Sequence, residues 1–469
     1  MKVVIINPPN IKNFQANRDL MGGFGCASMK SIIVNPPPIN SLYVASILKK
    51  NNNVYYIDCA ALDLDKKQLI SKISNIRPEI AIITVGSATY DNDLNIVSEI
   101  KNKFDIICMI IGPQGAASPE YALKNSSVDI VVRGEPELIV KELVEKINNN
   151  YYGIKGISYK INDKIIHNKE RALITNLDIL PYPAWERLPI NRYCYQNPKD
   201  TPHLAILSSR GCPFSCIYCP YPVSQGIRLR LRKPEEVVNE IKYLIYKFKV
   251  KSIMFRDPCF TANKEHAYKI CRLIIENKLK IKWWCETSTG TVDDELLKIM
   301  SESGCKGINF GVESGNINFI AQYARKTGGA EKIISAFGLC KKYGIETTAF
   351  FILGLPGETK KTIKETINLA IKLEPDYIDF HCAAPYPGTK LYSILKEKGK
   401  LEEKYFKNLT GHTAFSSTEN MPKEELRRYV NLGYKKFYRR PSRIIYELRK
   451  RPLRFIQRSF GYLKFRKIN

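Results

Sequence analysis

The chain has no run approaching 18 apolar residues anywhere in its 469, so a membrane-spanning helix is not expected. A leader is not expected either. "MKVVIINPPN" enters directly as a short apolar strand with a turn behind it, which reads as a cytoplasmic protein without a secretion signal. Solenoid repeats and low-complexity tracts are missing. Cysteine is not scarce, but paired spacing is: ten of the thirteen stand singly, several inside apolar strand or helix patterns where a buried, reduced thiol is the ordinary outcome. That spacing excludes a disulfide framework and fits a reducing compartment. Acid is nearly absent from the end of the chain. Residues 427–469 hold fifteen Lys and Arg against one acid, Glu447, so about half of the net charge of +27 lies there.

What is present is globular: 44% apolar and 10% aromatic residues, in a length that implies two or three domains. Residues 1–150 alternate short β-branched runs (Val3–Ile6, Val54–Ile57, Ile80–Val85, Ile106–Ile111, Ile130–Val132) with longer amphipathic stretches. This predicts an α/β doubly wound parallel sheet. Such sheets bind ligands outside the carboxyl ends of their strands. Those ends carry "NPP" (7–9), "TVGSAT" (84–89), "GPQG" (112–115) and "RGEPE" (133–137). Residues 151–200 read as a connector, with a hairpin turning at Asn162-Asp163 and a Pro-punctuated linker. Residues 201–395 carry six further strand–helix units, too few for a closed eight-stranded barrel. An open, partial (β/α)6 barrel is expected, with its site at the strand C-termini. Residues 396–469 form a basic, helix-patterned C-terminal region.

Cys212, Cys216 and Cys219 follow the first barrel strand in "RGCPFSCIYCP" (210–220), spaced Cx3Cx2C with no fourth ligand beside them. Structural zinc takes four N or S ligands, commonly as two separated pairs. A lone triplet better fits a 4Fe–4S cluster with one iron left open. Zinc, or cysteines that are merely structural, are the alternatives.

With an aromatic residue, Tyr218, before the last cysteine, this motif resembles that of the radical S-adenosylmethionine (SAM) superfamily. The resemblance implies that the open iron chelates SAM. The reduced cluster, fed by an external electron donor, would cleave it to a 5′-deoxyadenosyl radical. It extends to "FRDPCFT" (255–261), where Asp257 would meet the SAM ammonium, and to "FGVESG" (310–315), where Glu313 and Ser314 would contact SAM polar groups. It also covers "FILGLPGET" (351–359) near the adenine, with Gly354 and Pro356, and "PYPGT" (385–389). By composition alone, Gly-Leu-Pro-Gly is a turn and Glu358-Thr359 a helix start.

A parallel sheet ahead of such a barrel is similar to the class whose leading domain binds cobalamin. The whole chain looks most like the group containing the anaerobic Mg-protoporphyrin IX monomethyl ester cyclase and hopanoid-modifying enzymes. That likeness implies cobalamin contacts at Asn7, Pro8, Thr84, Ser87, Gly112, Gln114, Gly134 and Glu135. Thr84 and Ser87 would bond the nucleotide tail, and Gly112 and Gly134 would allow close backbone approach. The His-bearing DxHxxG loop of many cobalamin enzymes is missing after the first strand. Gln114 stands where several relatives have His, and an amide does not ligate cobalt as imidazole does, so the lower face is expected to be open or water-bound. A domain that keeps the fold without the cofactor is the alternative.

In the basic tail, Leu453, Ile456, Phe460 and Leu463 recur on one helical face, with Arg454, Arg458 and Lys464 off it. This suggests an interfacial helix on an anionic membrane. Packing on the barrel, or RNA binding, would explain the same pattern, although nucleic acid is the weaker expectation. The combined expectation is a cobalamin-dependent radical SAM enzyme acting on an unactivated carbon of an apolar, lipid-like substrate at the membrane surface. Methyl transfer leads, and ring closure or C–C coupling is the alternative. A radical SAM methylthiotransferase acting on RNA is the competing class; it would need a second cluster, to which Cys26, Cys59 and Cys108 could be assigned.

Overall fold

The computed structural model describes residues 1–11, 14–29, 34–195, 198–323, 328–401 and 420–450. The first five β-branched runs form strands Lys2–Asn7, Asn53–Asp58, Ile80–Thr84, Ile107–Ile111 and Ile130–Val132. They pair in parallel, with Asn53–Asp58 at one edge and Lys2–Asn7 beside it. Helices such as Ile39–Leu48 and Tyr90–Lys103 fill the crossovers. Both faces are covered, and Val3, Val4, Ile5 and Ile6 are all fully buried. That explains why the strands read as continuous apolar runs rather than alternating ones. The chain passes from Lys2–Asn7 to one neighbour and then back past it to Ile80–Thr84, so the sheet's switch point lies between those two strands.

The hairpin expected in the connector forms at Ile157–Ile161 and Lys164–His167, turning at Asn162 and Asp163, both with positive φ. It is not free-standing. It adds two antiparallel strands to the Ile130–Val132 edge and completes a seven-stranded sheet. The sequence pattern missed a second antiparallel pair, Phe14–Asn17 with Cys26–Met29, which lies beyond the carboxyl end of the first strand.

The second sheet has six parallel strands in chain order: His203–Ile206, Ser252–Phe255, Lys282–Thr287, Cys305–Glu313, Glu346–Leu353 and Tyr377–Cys382. Side chains alternate across it. Trp283 packs outward among Phe255 and Phe260 in the helix-covered core. Trp284, on the other face, meets Tyr195 and His203. Caps fix the crossover helices: Asn263, Asp293 and Thr359 each accept a backbone N–H of the first turn.

After residue 420 the chain forms helices Lys423–Tyr438 and Pro441–Lys450. Both lie against the last barrel strand. Gly433 backs onto the Phe380 ring, and buried Arg443 donates to the carbonyls of Pro375 and Asp376. Barrel packing thus accounts for Arg443 and in part for Arg440, while Arg427, Arg428, Lys435, Lys436, Arg439, Arg449 and Lys450 are exposed. The Leu453–Leu463 stripe, with Arg454, Arg458 and Lys464, lies outside the described residues.

Candidate active site

The cysteine loop leaves the first barrel strand and is closed at its base. Ser209 and Arg210 pair antiparallel with Leu231 and Arg230. Just inside, the Gly211 N–H donates to Gln225 Oε1 at 3.2 Å and the Cys212 N–H to the Gly226 carbonyl at 3.1 Å. Gly211 has φ +87°, and a Cβ there would sit 2.1 Å from the Arg228 carbonyl oxygen, so only glycine closes this turn. Cys212, Cys216 and Cys219 lie on this one loop, the first two buried. Among the described residues, no three His, Cys, Asp or Glu side chains converge as a mononuclear metal site requires. Three thiols along a closed loop suit a cluster, which takes one thiolate per iron.

Asp257 braces the approach to this loop. Fully buried, it accepts the Ser208 N–H at 3.1 Å, the Ser208 hydroxyl at 2.8 Å and the Ser209 hydroxyl at 2.5 Å. Its carboxylate therefore anchors the end of the first strand, where the cysteine loop begins. Burial raises its pKa despite these donors.

Around the loop, Cys216, Ile217 and Tyr218 pack with Leu355 of the Gly-Leu-Pro-Gly turn and with Ala383 after the last strand. The expected SAM-site residues Tyr218 and Glu313 come together. The Tyr218 hydroxyl is buried without a partner, and burial and the Glu313 carboxylate push its pKa up. Glu313 follows a register shift at Gly311 and has φ +72°, a conformation rare outside glycine. Such outliers cluster where a side chain is re-aimed for function. Ser314 is turned inward, its Oγ accepting the Asn316 N–H at 3.1 Å and standing 3.3 Å from the Thr366 hydroxyl. Gly354 has φ +92° and donates its N–H to Glu358, while the Pro356 carbonyl accepts the Tyr323 hydroxyl at 3.2 Å. Glu358 is fully buried, with burial pushing it up to about 7, and its Oε1 has no partner.

Sequence reasoning missed a charged group at the barrel mouth. Arg256 pairs with Glu286 at 3.0 Å, and Tyr221 donates to the other oxygen of Glu286 at 3.5 Å. Asp19 acts on Arg256 from the N-terminal domain; burial pushes it up to about 6, and it accepts the N–H groups of Ile39 and Asn40. Arg256 stood inside the quoted "FRDPCFT", one residue from the aspartate that drew attention. Asp19 had no local signal, because its role depends on a contact hundreds of residues away.

In the N-terminal sheet the expected cobalamin residues divide. Beyond the first strand's carboxyl end, Arg18, which follows the Phe14–Asn17 strand, lines a small pocket with Asn7, Asp19 and Asp58. It donates to Asn7 Oδ1 at 3.1 Å and the Pro8 carbonyl at 2.8 Å, and forms a buried ion pair with Asp93 at 2.7 Å. The Asn7 amide donates in turn to Asp58 at 2.8 Å. Asn7 and Pro8 are thus tied to Arg18 and Asp58 within the N-terminal domain. The Glu135 carboxylate turns to Arg210 and Arg230 of the cysteine loop, where two buried cations lie. Gly134 has φ +94° and open space around its Cα.

The neighbouring strand ends differ. Ser87 donates to Gln114 Oε1 at 2.6 Å, which leaves the Gln114 amide nitrogen buried without a partner, and the Thr84 hydroxyl is likewise orphaned. Gly112, φ +125°, closes against the Val85 carbonyl. Buried donors without acceptors are rare in folded chains. Their presence beside a glycine turn at strand carboxyl ends fits a polar cofactor such as cobalamin there.

The two sets of strand ends meet at Phe24. It packs with Ala88 and Ala117, beyond strands of the first sheet, and with Ala384 and Tyr386, beyond the last barrel strand. Cys26 lies on this side, near Asp379, Arg256 and Glu286. Cys59 and Cys108 are instead buried in the first sheet's core, so the structure does not bring the three together.

A family model described as the Radical SAM superfamily matches residues 206–370. Over 452 residues, covering 96% of this chain and 95% of the relative, the sequence is 30% identical to an uncharacterized methyltransferase of Pyrococcus horikoshii. It is 27% identical over 421 residues to the anaerobic magnesium-protoporphyrin IX monomethyl ester cyclase of Rubrivivax gelatinosus, covering 86% of this chain and 74% of that one. Among solved structures, the fold is similar to the radical S-adenosylmethionine methyltransferase TsrM of Kitasatospora setae with cobalamin and a 4Fe–4S cluster bound. The TM-score is 0.67 at 18% identity, covering 85% of this chain and 75% of that one.

Proposed function

Because the chain belongs to the radical SAM superfamily, with the fold of a cobalamin-bound member, we propose that it is a cobalamin-dependent radical SAM enzyme that methylates an unactivated carbon of an apolar, lipid-like substrate. The observation that carries this reading is the meeting of both sheets' strand ends around Phe24, with the cysteine loop against one sheet and the orphaned Thr84 and Gln114 donors on the other. Cys212, Cys216 and Cys219 would hold the cluster. Tyr218, Glu313, Leu355 and the Gly354–Pro356 turn would border SAM, and Thr84, Ser87, Gly112 and Gln114 would hold the corrinoid. When bound, these groups supply a 5′-deoxyadenosyl radical that removes a substrate hydrogen and a methyl group to replace it; the hard chemistry is the cofactors' own.

The protein's part is to bind, orient and exclude water. Phe24, Met21, Ala88, Ala117, Ala384 and Tyr386 give the region between the sheets an apolar lining, which supports an apolar substrate carbon. An apolar surround also keeps a carbon radical from polar side reactions. The likeness to a cyclase favours one second reading, radical ring closure or C–C bond formation without net methylation. Attachment to an anionic membrane belongs to residues 452–464, and reduction to an external electron donor.

The deciding experiment is anaerobic reconstitution with iron, sulfide, hydroxocobalamin and SAM, followed by mass spectrometry of lipid extracts from cells with and without the protein. A product heavier by one methylene group supports methylation, and one lighter by two hydrogens supports closure. Absence of 5′-deoxyadenosine from the reduced, SAM-supplied wild type would sink both.

A further inference from the structure

Four charged side chains from two domains are buried together: Glu135 from the loop after Ile130–Val132, Glu137 from the first turn of the helix Pro136–Lys146 that follows it, and Arg210 and Arg230 from the two ends of the cysteine loop. Arg230 Nη1 stands 2.9 Å from both oxygens of Glu135, and Arg210 Nη1 stands 3.2 Å from one of them. Arg210 Nη2 donates to Glu137 at 2.5 Å. A single carboxylate thus grips both ends of the loop, which already face each other across its closing ladder. Arg230 also bonds the carbonyls of Ile174 at 2.7 Å and Gln225 at 2.6 Å, with its Nε buried and unpartnered, and Arg210 lies over the Tyr43 ring.

The charges balance, so the group does not call for a counter-ion. Apolar residues of equal volume would hold two domains together at least as well. What guanidinium–carboxylate forks add is direction, since they bond in one plane and one register. The loop still closes without them, because the ladder and the Gln225 and Gly226 bonds lie within the barrel domain, but that closure is then braced from one side only and opens more readily. We infer that Glu135 and Glu137 are positioning residues, clamping the cysteine loop to the N-terminal sheet and so fixing the cluster's place relative to the corrinoid.

This rests on the cobalamin reading, and the test separates the two. Full-length E135Q and E137Q are reconstituted with cluster and hydroxocobalamin, then reduced until cluster and cob(II)alamin are both paramagnetic. Wild type is expected to show one defined spin–spin splitting between them. The variants are expected to keep wild-type iron content but show a broadened splitting, with hydrogen exchange at amides 209–212 faster by about tenfold or more. R210K, which keeps the charge but not the fork, is expected to behave like E137Q. Unchanged splitting and exchange, or loss of iron in step with the substitution, overturns the inference. If E135Q does not accumulate, E137Q decides, since Arg230 still holds Glu135. A wild type that takes up no cobalamin would defeat the cobalamin reading alone; the exchange measurement, which needs no corrinoid, still judges the clamp.

Discussion

The Tyr434 hydroxyl accepts the backbone N–H of Phe380 at 3.1 Å and donates to Asp379 at 2.5 Å. One helical turn on, the Tyr438 hydroxyl accepts the Ile378 N–H at 3.3 Å. An open sheet leaves a row of unpaired edge groups, which invites pairing with another chain. Here two tyrosines at i and i+4 cover that edge from the Lys423–Tyr438 helix.

Tyr434→Phe keeps the ring against Phe380 but removes the acceptor and leaves the Asp379 oxygen without this donor. A loss of about 1–3 kcal/mol is expected, read as a lower urea midpoint, with concentration-dependent association by light scattering. Unchanged stability and association would mean that water serves the edge equally well.

Gly211→Ala tests the turn that starts the cysteine loop. The left-handed φ and the Arg228 carbonyl both oppose a Cβ, so the loop must shift where it leads into Cys212. Iron after reconstitution is expected to fall well below the about four per chain that a 4Fe–4S cluster brings, with near-wild-type circular dichroism. Full iron loading would show that the loop tolerates the shift.

Much of this was legible in the chain. The β-branched runs and amphipathic spacings located the strands and helices because both faces of each sheet are buried, which leaves a strong pattern. The cysteine spacing and the strand-end motifs are local and survive reading in one dimension. Arg18 bridging Asn7 and Asp93, and Glu135 turning to the cysteine loop, were not legible. Each depends on a partner from a distant segment: Asp93 for Arg18, and Arg210 and Arg230 for Glu135. A strand-end glutamate looks the same whether it meets a ligand or a guanidinium. The bonds of Asp257 to the Ser208 and Ser209 hydroxyls were not legible for the same reason, since those residues lie at another strand end.

Glu358 predicts a pH dependence. Burial lifts it from its ordinary 4.5 to about 7. A raised folded pKa means that the protonated side chain's stabilising contribution is complete below the unfolded value and is lost as pH rises through about 7. Glu358→Gln cannot ionise, yet keeps an acceptor for the Gly354 N–H. Relative to wild type it should gain up to ~3 kcal/mol between about pH 4.5 and pH 7. Urea curves of both proteins across that range check this; stability profiles that run parallel would mean that Glu358 titrates normally.

The orphaned hydroxyl of Thr84 gives a test in which two measurements move in opposite directions. In the chain without cofactor, a buried polar atom lacking a partner costs stability, so the near-isosteric Thr84→Val should leave that form as stable as wild type or up to ~1 kcal/mol more so. If the hydroxyl instead serves a bound corrinoid, the same change removes a hydrogen bond from the complex and should weaken hydroxocobalamin binding by about tenfold, the equivalent of ~1.4 kcal/mol. Gln114→Leu should act likewise on affinity, with a smaller stability gain because Ser87 loses its acceptor. A general packing defect would lower both quantities together. Thermal unfolding of the apo chain, set beside corrinoid titration by absorbance, separates the two; a fall in stability with unchanged affinity would remove Thr84 from the cobalamin site.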